Sequence, residues 1–173
     1  MGHPKQHTRK YATPVKPFDK ERIEKEKGIL TSYGLRRKKE LWRAESILRN
    51  LRRRARSLQA APDKVKEQEL FAKVGILGIS IKTLDEVLGI SLEQILDRRL
   101  QSVITRKGLA NTMKHSRQLI VHGHVMIGER KTKWPSYLVP AGEEASIKLD
   151  ASISAKMIAA GAAKEVAPEK TGE

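Results

Sequence analysis

Along residues 36–60, apolar positions recur every three or four residues: Leu41, Ala44, Leu48, Leu51, Ala55 and Leu58. That spacing predicts an amphipathic helix with one buried stripe. Such a helix would be about 37 Å long at 1.5 Å per residue. Pro62-Asp63 restarts the chain, and a second helix is predicted through Val65, Phe71 and Val74, with Gly75 and Gly78 punctuating its end. Thr83 precedes a short apolar turn, Leu84 to Leu88, closed by Gly89. Ser91 and Gln94 stand at capping-box spacing. Leu92, Ile95, Leu96, Leu100, Val103 and Ile104 then form one face of a single helix that Gly108 terminates. Asn111-Thr112 can cap a further helix from Met113 to about His122, stopped by Gly123.

After Gly123 the period shortens. His124-Val125-Met126-Ile127, Lys131-Thr132-Lys133-Trp134, Tyr137-Leu138-Val139 and Ala145-Ser146-Ile147-Lys148-Leu149 read as short strands, with Pro140-Ala141-Gly142 as a turn. Helices followed by a small antiparallel sheet make an α+β fold. Four segments are expected. Residues 1–35 form a basic arm, where Pro4, Pro14 and Pro17 disfavour helix and Asp19 to Lys27 suggests a short solvated one. Residues 36–91 form a helical domain. Residues 92–150 form a compact unit of two helices and a sheet. Residues 151–173 form a flexible tail, with a short helix near Ser154 to Ala160.

Charge changes the picture. The 173 residues carry 35 Lys+Arg against 20 Asp+Glu, a formal net charge of +15. Residues 1–60 hold 18 cations and 6 anions, and residues 97–150 hold 10 and 5. A surface of one sign is stable beside a polyanion. Of the ten cations at Arg36, Arg37, Lys38, Lys39, Arg43, Arg49, Arg52, Arg53, Arg54 and Arg56, eight are arginines, and only Glu40 and Glu45 oppose them. Guanidinium forks onto phosphate oxygens, so this helix is read as a phosphate-binding face, with Arg52, Arg53 and Arg54 replaceable without unfolding. A solvated charged face would mix the signs, and a helix on a membrane surface would not pack its stripe on a core.

A second block, Arg98, Arg99, Gln101, Arg106 and Lys107, sits with Ser102 and Thr105 on what reads as the polar side of its helix. Lys114, Arg117 and Gln118 project from the next, with Met113, Ser116 and Ile120 turned towards packing. His115, His122 and His124 resemble a metal cluster only superficially, since the chain has no cysteine and no carboxylate lies near them in sequence. They are read as hydrogen-bonding or packing residues of an RNA-facing segment, joined by Lys131 and Lys133. Neither a nucleophile elbow nor a phosphate-binding glycine loop is present. No cofactor and no catalysis are expected. No apolar run approaches the roughly 20 residues of a membrane span. Aromatics make up 4% of the chain, too few for a stacking ladder along single strands. Trp42 reads as core or helix edge, and Trp134 and Tyr137 as packing of the sheet.

The run Asp97 to Ala110 closely resembles the first helix of the RNA-binding domain in small-subunit ribosomal protein four. Arg117 to Val125 looks like the second helix and the start of the sheet, and Pro135-Ser136-Tyr137 like a later sheet motif. Pro17-Phe18-Asp19-Lys20 and Tyr33-Gly34-Leu35 are similar to the archaeal and eukaryotic branch. The resemblance implies a cytoplasmic constituent of the small subunit that binds 16S-type rRNA directly, nucleates assembly of the subunit body and lies where messenger RNA enters. It implies small-subunit protein five as a neighbour, possible contact with messenger RNA, no membrane and no obligate homo-oligomer. Many bacterial members bind zinc through cysteines that this chain lacks, and relatives often have Ala where Ser116 stands. An assembly factor binding precursor rRNA is the alternative. An RNA-modifying enzyme with such an appended domain would need a catalytic domain for which 173 residues leave no room.

Overall fold

The computed structural model describes residues 2, 3 and 8–150. The expected tail helix and the arm positions Pro4 and His7 lie outside the described residues. The first three helices are α1 (Lys20–Ser32), α2 (Lys38–Ala60) and α3 (Lys64–Ile76). α4 (Leu84–Gly89) and α5 (Leu92–Asp97) follow, then α6 (Leu100–Arg106) and α7 (Met113–Val121). Strands β1 (Val125–Ile127) and β2 (Arg130–Lys131), the short α8 (Ala141–Glu144) and β3 (Ile147–Leu149) complete the order. The fold is α+β, with one three-stranded antiparallel sheet ordered β2-β1-β3.

The periodic stripe of α2 is its buried face: Leu41, Ala44, Leu48, Leu51, Ala55 and Leu58 are the helix's buried residues. They meet Leu70, Val74, Val87, Ile90, Ile95 and Leu96 in a first core. Side chains stop the orphan amides at helix starts: Asp63 caps α3, Thr83 caps α4, Thr112 caps α7, and Ser91 with Gln94 closes a full capping box at α5. A second core joins α6 and α7 to the sheet through Leu100, Val103, Ile104, Ile120, Val125, Val139 and Ile147.

Four expectations are corrected. The helix predicted to run without a break from Leu92 to Ile104 is interrupted at Arg98-Arg99. There the backbone leaves the helix to pair with a distant segment: Leu100 N donates to Tyr137 O at 2.8 Å and Val139 N to Arg98 O at 2.9 Å. Arg99 is extended and bridges Leu138, so that segment completes an isolated bridge instead of a strand. Pro140-Ala141-Gly142 opens a short helix, because Pro140 is compatible with a helix start. Finally, α1 is more than a solvated element. Its Glu26 is buried, accepting from Trp42 Nε1 at 3.2 Å and Arg22 Nη1 at 3.3 Å and pairing with Lys38 at 3.2 Å. Ile29 and Leu30 pack on the first core.

Gly34 turns the chain from α1 to α2 at φ +57, where an added Cβ would lie 2.9 Å from Met113 Cβ and 3.0 Å from Gln101 Nε2. Gly34→Ala is expected to destabilise the fold by about 2 kcal/mol through left-handed strain and crowding. Urea denaturation measures this, and an unchanged midpoint would contradict it.

Candidate nucleic-acid interface

At 3.6 residues per turn, Arg49, Arg53 and Arg56 fall on one side of α2, clear of the buried stripe, and all three are exposed. Among the described residues none of them forms a salt bridge. Arg43 and Arg54 are exposed on the opposite flank, and Arg36, Arg37 and Lys39 are exposed around the helix start. Arg52 differs: it is half-buried, and its Nη2 donates to Ile90 O at 2.7 Å, tying α2 to the α4–α5 link. Its replacement removes a structural bond, so the expectation that Arg52, Arg53 and Arg54 form one expendable set is corrected. Lys38 is half-buried beside Glu26.

The N-terminal segment lies across α2. Ala12 N donates to Ser46 Oγ at 3.2 Å, the rings of Tyr11 and Trp42 stand 6.1 Å apart, and Lys39 Nζ is 6.0 Å from the Tyr11 ring centre. Between them runs an open groove of about 550 Å³ whose walls include Arg9, Lys10, Arg43, Arg49 and Asn50. Sequence reasoning missed Arg9 and Lys10. The basic character of the arm was the available signal, but nothing local placed it on α2.

In the second unit, the expected polar side of α6 is largely interior. Gln101 and Ser102 are buried, with Gln101 Nε2 reaching Met113 O at 2.8 Å and Ser102 Oγ donating to Leu96 O at 2.7 Å. Ser116 is fully buried and donates to Gln101 O at 2.8 Å, so its hydroxyl links α7 to α6. Arg98 is buried and held by Glu144 at 2.8 Å and Val139 O at 2.9 Å. Arg99 is buried against Glu40, 2.6 Å away. These three predicted site residues, Arg98, Arg99 and Gln101, therefore serve the fold's interior.

Glu40 is the residue that sequence reasoning undervalued. From α2 it accepts Arg99 and both Arg117 terminal nitrogens, at 2.9 and 3.1 Å for the latter, and so clamps α2 to the break before α6 and to α7. Burial pushes its carboxyl up, but the hydrogen bonds and charges of Arg117 and Arg99 outweigh that and hold it below the usual range. Arg99 pays for the same geometry, since burial works against its charge and Glu40 offsets that only in part. Glu144 repeats the arrangement more openly. Arg106 Nη2 lies 2.7 Å from it, Lys107 bonds its carbonyl, and the two arginines overcome burial to hold its carboxyl low.

The outward groups of this unit are Lys114, Gln118, His122, Lys131 and Lys133, with Arg106 and Lys107 also exposed. His115, Gln118, His122 and His124 line one shallow groove, in which the rings of His122 and His124 lie 6.2 Å apart and nearly parallel. Among the described residues no group of three possible ligands is placed to hold a metal ion. Trp134, expected to pack on the sheet, is 71% exposed instead. Tyr137 is half-buried, its hydroxyl donating to Glu143 at 2.8 Å.

The S4 domain family matches residues 98–144, the stretch from the break before α6 through α8. Across a longer span the chain is 46% identical to small ribosomal subunit protein uS4 of Hyperthermus butylicus, over 83% of this chain and 85% of the relative. The chain belongs to the uS4 family. Its identity with the uS4 protein of Methanococcus aeolicus is 47%, over 85% of this chain and 86% of that one. With that of Sulfurisphaera tokodaii it is 45%, over 83% and 85%. A shared stretch of 83% of 173 residues necessarily contains α2. The uS4-family likeness thus includes the arginine helix as well as the S4 unit. No helix among the described residues is long and apolar enough to cross a membrane.

Proposed function

We propose that this uS4-family chain is a structural, non-catalytic constituent of the small ribosomal subunit that binds small-subunit rRNA directly. The observation that carries the reading is the exposed side of α2 formed by Arg49, Arg53 and Arg56, which form no salt bridge among the described residues, beside the cationic groove that includes Arg9 and Lys10. Phosphates supply the anions for cations that have no salt-bridge partner among the described residues. The Glu40 clamp fixes α2 relative to α7, so that Lys114 and Gln118 are presented in a set relation to the arginine face. The proposed interface therefore comprises the exposed members of the two basic blocks and omits Arg98, Arg99 and Gln101.

The division into an arm (1–35), a helical part (36–91), an RNA-binding part (92–150) and a tail (151–173) belongs to the same reading, with α5 as the seam, since its Ile95 and Leu96 sit in the first core. Nucleation of the subunit body, a position where messenger RNA enters, contact with small-subunit protein five and residence with cytoplasmic ribosomes are further parts of it, supported by the family likeness.

Purified full-length chain is expected to bind small-subunit rRNA with an affinity that falls on the order of a thousandfold between 50 and 200 mM salt, as several phosphate contacts require. Filter binding across that range is the test. Attraction no greater than that of a neutral control protein at moderate salt would overturn the proposal.

A further inference from the structure

Trp134 is exposed, yet its backbone is firmly fixed. Two residues before it, Thr132 N donates to Val125 O at 3.0 Å; Tyr137 N closes a turn on Trp134 O at 3.2 Å; and Tyr137 O receives Leu100 N at 2.8 Å. Pro135 restricts the turn further. An indole ring on a preorganised stem loses little freedom when something stacks on it.

The ring borders two grooves. One, of about 460 Å³, lies between α2 and the turn over 134–138; besides Trp134 its walls include Arg43, Ile47, Ser136, Tyr137 and Leu138, and its one carboxylate, Glu40, is already paired with Arg99 and Arg117. The other, of about 510 Å³, sets Glu129 and Glu143, neither in a salt bridge among the described residues, beside Arg130 and a Lys131 already paired with Asp150, a balance less favourable to a phosphate. The first suits a nucleotide. Its size is that of a small-molecule site, its floor is apolar, and Ser136 is exposed to meet a base edge. Arg43 is exposed on the α2 side and forms no salt bridge among the described residues. We propose that this groove takes one unpaired nucleobase of the bound RNA, stacked on Trp134, with the adjoining phosphate on Arg43. The inference rests on the rRNA-binding reading above. It adds a single-nucleotide subsite to a surface that otherwise grips backbone. Two tryptophans in 173 residues cannot track a strand, but one placed ring can hold one base.

The test uses full-length chain and small-subunit rRNA, probed for base reactivity and for backbone cleavage by hydroxyl radicals. Trp134→Ala and Trp134→Phe are compared with the unchanged protein, and circular dichroism checks that each is folded. One unpaired base should be protected by the unchanged protein and by W134F. With W134A that base should regain its reactivity, affinity should fall about tenfold, and the backbone footprint should persist. Identical base reactivities with the unchanged protein and W134A would overturn the subsite while leaving rRNA binding intact. An absent backbone footprint with the unchanged protein would overturn both.

Discussion

Glu40→Gln should lower the stability of the folded chain by about 3 kcal/mol, because it leaves the buried Arg99 charge without its partner. In a chain of this size that corresponds to a melting temperature lower by roughly 6–12 °C. The carboxylate joins residues 59 and 77 positions apart in sequence, at Arg99 and Arg117, so its loss frees α2 from the S4 unit. The variant Glu40→Gln with Arg99→Met should recover part of the loss, since the unpaired charge is then gone. A double variant no more stable than the single one would show that Arg99 was not the source of the penalty. The sign with pH follows from the depressed carboxyl. Glu40 contributes its full stabilisation above the ordinary value of 4.5 and loses it as pH falls through its lower folded value. The acid limb of stability should therefore flatten in Glu40→Gln, as thermal melts between neutral and acid pH would register.

Replacing Arg49, Arg53 and Arg56 together with Ala should weaken rRNA binding about a hundredfold at moderate salt and reduce the salt slope by about two to three, one step per lost phosphate contact. None of the three has a salt-bridge partner to strand among the described residues, so the melting temperature should stay close to that of the unchanged chain. Binding curves at several salt concentrations measure both quantities. An unaltered slope in a folded triple variant would move the phosphate contacts away from this side of α2. The contrast with Arg52 is informative: Arg52→Ala should cost stability, because its bond to Ile90 O ties α2 to the link between α4 and α5.

How much of this was legible in the sequence depends on how local each interaction is. The α2 stripe was readable residue by residue, because helical period and burial coincide there. The caps at Ser91 and Thr112 were readable because the capping side chain and its amide are three residues apart. The break at Arg98-Arg99 was not, since it depends on backbone partners about forty positions downstream, at Tyr137 and Val139. Gln101 and Ser102 looked outward only on a continuous helix; once it is broken they satisfy buried carbonyls. Arginine in a basic run signals phosphate by composition alone, and composition cannot tell Arg53, which faces outward, from Arg99, which is held inside by Glu40. Trp134 reads as sheet packing from its neighbours in sequence, yet the turn that fixes its backbone leaves the ring outside.

A uS4-family chain that holds small-subunit rRNA should stay with the working subunit. The most direct measurement is the copy number of the native protein in mature small subunits washed at high salt. About one copy per subunit is predicted. Recovery from precursor particles alone, with none in the washed mature subunits, would show instead a factor that leaves before the subunit is finished.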